Sequence, residues 1–255
     1  MDSNLKEAHP DVSGISILGD QTAILCLHGF TATPQTYSEF AIRAHAQTSH
    51  TILAPLLPGH GGVAEDLDSV TAQEWLLFTQ KTLQEVTSTY KKIHLVGFSM
   101  GATLALLTYP MFANQISSLH LLAPALDVKT TFERYALHLM KVIPSKILKK
   151  IIRHKKGKVT DHLSYDHYSY YAARQSFELF EKAKKNIPDI SAPTLIQYAD
   201  KDPVIDPSFV LQIAPHFTNV DSRIIKIHSD LHIMLNSNQK DEIMKNMIEW
   251  IQKHK

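Results

Sequence analysis

Short apolar runs, rich in β-branched residues, recur along the chain between segments with helical spacing. Six such runs lie at residues 22–27, 51–55, 92–98, 119–124, 193–199 and 223–228. Their apolar character is continuous, which is typical of strands buried on both faces of a mostly parallel sheet. The segment VSGISIL at 12–18 alternates more regularly and predicts an outer, antiparallel first strand.

Helical patterns lie between the predicted strands, at residues 34–47, 71–90 and 239–254. Thr33 followed by Pro34 is a good cap and first-turn pair for the first of them. Thr71 and Glu74 have the spacing of a capping box at the start of the second. Strands that alternate with helices predict an α/β fold with right-handed crossovers.

This alternation is interrupted between about residues 126 and 188, where the sequence contains helical pieces rich in Tyr, His and Lys and no convincing strand. The strand pattern resumes at Pro193. A set of ordinary surface helices is one interpretation, but an insertion inside a sheet pattern favours a cap over a site. We therefore predict a core in two parts, residues 1–125 and 189–255, with a helical cap insertion at 126–188.

Ser99 lies in GFSMG, a G-x-S-x-G pattern that follows a predicted strand and precedes the helical segment beginning at Met100. In this setting the turn is so tight that side chains at Gly97 and Gly101 would crowd the backbone. The pentapeptide alone could be a glycine-flanked loop. Its strand–turn–helix context instead predicts that Ser99 is a nucleophile, with the Met100 amide directed towards a developing oxyanion.

A serine nucleophile needs a base, and the base needs an orienting acid. Where the serine lies on a strand–turn–helix elbow of this kind, the acid follows it along the chain and the histidine base follows the acid. Asp200, Asp202 and Asp206 compete for the acid position in the segment YADKDPVID. We predict Asp202, because Pro203 then redirects the chain at the end of a strand. Asp206 has instead the position of a helix N-cap.

Two histidines compete for the position of the base in IHSDLHIMLN. His228 falls at the end of a predicted strand, whereas His232 lies in the following loop, ahead of the last helix. With 15 histidines in the chain, residue type alone is uninformative, so position decides. The prediction is His232, with His228 as the alternative.

The loop CLHGFTATP follows the first central strand and supplies a second expected oxyanion donor, the amide of Phe30. Gly29 lets the chain turn there. His28 and His60 invite a metal interpretation, but no carboxylate or cysteine stands at ligand spacing beside them. We expect them to brace loops through hydrogen bonds, and we predict no metal.

Composition and charge limit the classes of partner and the cellular environment that we expect. A net charge of +1 gives no overall field for nucleic acid, and the single cysteine, Cys26, allows no intrachain disulfide and falls in a predicted buried strand. Neither a secretory signal pattern nor an 18-residue apolar run occurs, which predicts a soluble, cytoplasmic protein without membrane insertion. The basic run at 146–158 is interpreted as a solvated helical face with an apolar underside; contact with lipid is the alternative.

Together, LHGF (27–30), PLLPGHG (55–61), GFSMG (97–101), and the DKDPV and SDLH segments resemble the α/β-hydrolase superfamily. More narrowly, they resemble bacterial carboxylesterases and monoacylglycerol lipases with a small helical cap. The resemblance implies an eight-stranded, mostly parallel sheet flanked by helices, a Ser99–His232–Asp202 triad, an oxyanion hole from the amides of Phe30 and Met100, and no cofactor.

Leu231 and Ala102 depart from this pattern, because glycine is frequent at both positions in such families. Neither removes a reacting group. The expected activity is hydrolysis of a carboxylic ester, such as a monoglyceride or a short- to medium-chain ester, through an acyl-enzyme. Thioester or carbon–carbon bond hydrolysis with the same triad, and a non-catalytic binding role, are the alternatives. Dehalogenase and epoxide hydrolase chemistry is disfavoured, because it needs a carboxylate where Ser99 stands.

Overall fold

A mostly parallel, seven-stranded sheet forms the centre of the structure. The computed structural model describes residues 12–154, 164–185, 187, 189–217 and 221–254. The sheet strands are β1 (Ile15–Ile17), β2 (Thr22–Leu27), β3 (Thr51–Ala54), β4 (Lys92–Phe98), β5 (Ile116–Leu122), β8 (Thr194–Ala199) and β9 (Ser222–Ile227). Their spatial order is β1-β3-β2-β4-β5-β8-β9.

All six continuous apolar runs are confirmed as strands of this sheet, with β5 beginning three residues earlier than predicted. The neighbouring pairs from β3 to β9 are parallel, and β1 pairs antiparallel with β3, as its alternating pattern predicted. The expected count of eight is not met, because the described residues contribute seven strands to the central sheet.

Five helices accompany the sheet: α1 (Ser38–Thr48), α2 (Ala72–Thr89), α3 (Met100–Phe112), α7 (Ser208–Ile213) and α8 (Lys240–Lys253). The predicted capping box of α2 is present, since the Thr71 side chain accepts from the Glu74 amide and the Glu74 carboxylate accepts from the Thr71 amide. The start predicted for α1 was wrong. Pro34 opens a short 3₁₀ turn, the Thr33 side chain makes no capping bond, and the α-helix begins only at Ser38.

Helices α4 (Thr131–Leu139), α5 (Ser145–Leu148) and α6 (Tyr170–Lys185) lie in the predicted cap. The expectation that this stretch contains no strand was wrong, because β6 (Ile152–His154) and β7 (His167–Ser169) form a small antiparallel hairpin. Short, separated strands of three residues leave too little pattern to detect. The boundaries at 126 and 188 remain a prediction, and residue 188 lies outside the described residues.

The basic run does not form one helix in its described part. Residues up to 148 belong to α5, and the chain then extends into β6. Leu148 is buried, as an apolar underside requires, but Ile147 is about half exposed, at 51%. Residues 155–158 of the run lie outside the described residues.

Cys26 is fully buried in β2, as predicted, and this burial raises the pKa of its thiol. None of the described helices combines the length and apolar character that a membrane span needs.

Candidate active site

Ser99 occupies a strained turn between β4 and α3. Its backbone lies at φ 54° and ψ −117°, a region that residues with a Cβ rarely adopt. A Cβ at Gly97 would stand 2.5 Å from the Ala102 Cα, and one at Gly101 would stand 2.0 Å from the Leu27 carbonyl oxygen. The two glycines therefore let β4, β2 and α3 meet closely enough to project the serine hydroxyl.

Ser99, His232 and Asp202 form one hydrogen-bonded chain. The Ser99 Oγ lies 2.9 Å from His232 Nε2, and His232 Nδ1 lies 2.7 Å from Asp202 Oδ2. With the proton on Nδ1, the imidazole donates to the carboxylate and Nε2 accepts from the serine hydroxyl. Asp202 and His232 stand 103 and 133 residues after the serine, and their two loops thus bring the three predicted side chains together.

The Asp202 side chain is almost fully buried, yet it is held as a carboxylate. Burial by itself raises the pKa of this group. Attraction to His232, the hydrogen bond from that ring, and the amides of Val204 and Ile205 outweigh burial and lower the pKa. The two amides donate to Oδ1 at 2.8 and 3.1 Å, leaving Oδ2 for the histidine.

The competing residues have other partners. Asp200 pairs with His228 at 2.9 Å on the surface, where the His228 side chain is 72% exposed. Asp206 accepts from the Ser208 amide just before α7, although the N-cap position expected for it is occupied by Pro207. Of the two pairs, it is Asp202 and His232 that lie against Ser99 in the structure.

The loop after β2 lies directly against the serine, because a Cβ on Gly29 would stand 3.1 Å from the Ser99 Cβ. His28 braces this loop by accepting from the Leu57 amide at 3.0 Å and donating to the Gly29 carbonyl. Burial, followed by repulsion from His60, lowers the pKa of His28, so its ring stays neutral.

His60 makes the corresponding contacts from the opposite loop. Its Nε2 accepts from the Thr31 amide at 3.2 Å, and its Nδ1 donates to the Pro58 carbonyl at 3.0 Å. The expectation that both histidines brace loops is confirmed by these bonds. In the described residues, no cluster of three or more His, Cys, Asp or Glu side chains is arranged to hold a metal ion.

A cavity of about 470 Å³ opens beside Ser99 and His232, between the core loops and the cap. Leu137 of α4 and Phe177 and Phe180 of α6 give it an apolar wall. The ion pair between Glu133 and Arg153 adds a polar patch to the lining. The cap thus contributes both apolar and polar groups to the space above the serine.

The cap segment that leads into β7, together with β7 itself, also contacts the loop that carries Phe30. The Ser164 hydroxyl and the Tyr165 amide both donate to the Thr31 carbonyl at 3.0 Å. The Tyr168 ring packs edge-on against Phe30, with centroids 5.2 Å apart. Sequence reasoning missed these residues, since the cap carries no motif that pairs it with a particular loop of the core.

Comparison with known proteins gives the same fold. The chain is 23% identical over 261 residues to a thermostable monoacylglycerol lipase of Bacillus sp. (strain H-257), covering 98% of this chain and 99% of that protein. A structure from the metagenome-derived lipolytic enzymes LipS and LipT superposes with a TM-score of 0.82 at 20% identity, covering 96% and 99% of the two chains.

The structure of Paleococcus ferrophilus monoacylglycerol lipase superposes with a TM-score of 0.77 at 16% identity, covering 95% of this chain and 98% of that one. These likenesses show the α/β-hydrolase fold that the motifs implied. Residues 20–239, most of the chain, match the family described as serine aminopeptidase, S33 (Hydrolase_4). The chain therefore belongs to this serine hydrolase family.

Proposed function

We propose that this protein hydrolyses carboxylic esters through an acyl-enzyme on Ser99. The observation that carries the proposal is the continuous hydrogen-bonded chain from Ser99 through His232 to Asp202 at the floor of a largely apolar cavity. The names of two relatives, both monoacylglycerol lipases, support an acyl ester as the substrate class.

In the proposed mechanism, Asp202 holds the His232 ring with its proton on Nδ1, so that Nε2 faces the serine. His232 takes the Ser99 proton as the hydroxyl attacks the ester carbonyl. It then gives that proton to the leaving alcohol. A water molecule, activated by the same nitrogen, releases the acid and restores Ser99.

The amides of Phe30 and Met100 are the proposed donors to the tetrahedral oxyanion. Met100 is the first residue of α3, and the first amides of a helix have no intrahelical acceptor. Phe30 lies in the loop that His28, His60 and the cap hold against Ser99. Losing one such donor costs roughly 100- to 1,000-fold in rate, so the bracing of this loop bears directly on turnover.

The cavity favours an uncharged acyl chain of short to medium length, such as that of a monoglyceride. Its wall at Leu137, Phe177 and Phe180 can bury methylene groups at about 0.8 kcal/mol each.

Assays with p-nitrophenyl esters of increasing chain length, and with matched thioesters and amino-acid p-nitroanilides, test the substrate class. A fluorophosphonate probe tests the nucleophile. We expect ester turnover, labelling of the wild type, and neither in Ser99→Ala. Absence of both turnover and labelling in the folded wild type would refute the proposal, and faster cleavage of thioesters or anilides would redirect it.

Paired variants test the roles of the acid and the base. Asp202→Asn should lower kcat by about 10⁴-fold, because the amide favours the wrong histidine tautomer, while Asp200→Asn is the matched control. His232→Ala should abolish turnover, and His228→Ala should leave it near the wild-type value. The opposite result in either pair would move the assignment to the surface pair.

A further inference from the structure

The first residues of the cap are hydrogen-bonded to the loop that carries Asp202. Val128 and Ile205 form an antiparallel bridge, and the Lys129 amide donates to the Val204 carbonyl at 3.1 Å. The Lys129 ammonium group also donates to the backbone carbonyl of Asp202 at 2.5 Å. Residues 128–129 therefore hold the loop at both ends of its turn.

The same segment is anchored to two cap helices through Asp127, whose side chain is only 3% exposed. Its carboxylate receives Arg134 of α4 at 2.9 Å and Lys184 of α6 at 2.7 Å. It also accepts from the Val128 amide. A buried carboxylate with two cationic partners is a stiff junction, because losing both contacts would leave its charge buried and uncompensated.

The residues that the cap holds are the same ones that bind the Asp202 carboxylate. The amides of Val204 and Ile205, on the residues that pair with the cap, are the two donors to Asp202 Oδ1. The direction of Oδ2 towards His232 depends on that turn. A shift of the turn would therefore misdirect the carboxylate even with Asp202 itself unchanged.

We propose that Lys129 is a positioning residue for Asp202, so that the seating of the cap on the core sets the geometry of the triad as well as the shape of the cavity. The inference rests on the proposed function, in which Asp202 orients His232. This role differs from that of a cap that only covers the site. A cap of that kind would alter the binding of long substrates and leave the rate of the chemical step unchanged.

Lys129 is exposed at the surface, so Lys129→Met should leave the fold intact. Lys129→Arg restores a cationic donor, and Lys146→Met, in the exposed part of α5, removes a cap lysine that makes no described contact with the Asp202 loop. We expect Lys129→Met to lower kcat about fivefold for both a p-nitrophenyl acetate and a longer ester, with KM nearly unchanged, as for the loss of one charged, partly exposed hydrogen bond. Lys129→Arg should recover most of the loss, and Lys146→Met should match the wild type.

Amide hydrogen exchange of Val204 and Ile205 gives a second readout that does not depend on activity. Both amides should exchange about fivefold faster in Lys129→Met than in the wild type, because local opening of the turn becomes easier. Unchanged exchange at these amides, or a loss confined to KM for the longer ester, would overturn the inference. If the wild type lacks esterase activity, the proposed function fails, while the exchange comparison still decides whether Lys129 holds the turn.

Discussion

Acidification from about pH 7 to about pH 5 should destabilise the protein through three buried histidines, His28, His94 and His120. Each is 0% exposed. Burial is the main cause that lowers the pKa of each ring, to about 3 for His94, and repulsion from neighbouring histidines adds to it. All three rings therefore stay neutral in the folded protein while the unfolded chain takes up protons.

The sign follows from this difference in proton uptake. Because the folded-state pKa values lie below the unfolded value of 6.5, their contribution is complete above that pH and is lost as the pH falls towards the folded values. Integrating the proton uptake of an unfolded imidazole from about pH 7 to about pH 5 gives a loss of unfolding free energy of about 2 kcal/mol for each histidine. Three such groups amount to about 6 kcal/mol, comparable with the whole stability of many domains, about 5–15 kcal/mol.

His94 is the most informative of the three to replace. Its Nδ1 and the Nε2 of His120 both contact the Ser118 hydroxyl, at 2.7 and 2.9 Å. A neutral amide cannot titrate, so in His94→Gln the loss of unfolding free energy between the two pH values should be about 2 kcal/mol smaller than in the wild type. The neighbouring Ile93→Val, also fully buried in β4, is the control, since it lowers stability equally at both pH values.

Urea unfolding followed by circular dichroism at about pH 7, 6 and 5 measures these free energies. The variable to compare is the change with pH, because His94→Gln also carries a pH-independent cost from lost contacts. If His94→Gln and the wild type lose the same free energy on acidification, burial does not keep this histidine neutral and the reasoning is wrong.

Three further substitutions test local features of the structure. Gly101→Ala should destabilise the fold by about 3 kcal/mol or more, because its Cβ would meet the Leu27 carbonyl oxygen, and an unchanged thermal midpoint would contradict the packing of the turn. Tyr165→Phe removes the hydrogen bond to the Gly59 carbonyl and should cost about 1 kcal/mol in urea unfolding, with kcat falling for short and long esters alike. Thr71→Ala should cost about 1 kcal/mol by removing the N-cap of α2, while ester turnover at room temperature stays at the wild-type value.

Local pattern was sufficient for the elements whose residues carry their own signal. Continuous apolar runs marked the central strands, because a strand covered on both faces has no solvated side to show in the sequence. The capping box at Thr71 and Glu74 marked the start of α2, because its bonds join residues three apart. The elbow at Ser99 was equally visible in the sequence, because the tight turn leaves no room for a Cβ at its two glycine positions.

Tertiary structure decided what depends on residues far apart in the chain. The alternatives Asp200 and His228 differ little from Asp202 and His232 in local pattern, and only the fold places the second pair against Ser99. The β6–β7 hairpin escaped prediction because three-residue strands are stabilised by each other.

The contact between Lys129 and the Asp202 loop spans 73 residues and has no sequence signature. The chain by itself therefore determined the fold class and the kinds of side chain expected at the site. The packing of cap against core determined which of them meet, because hydrogen-bond geometry between distant loops depends on how every intervening element packs.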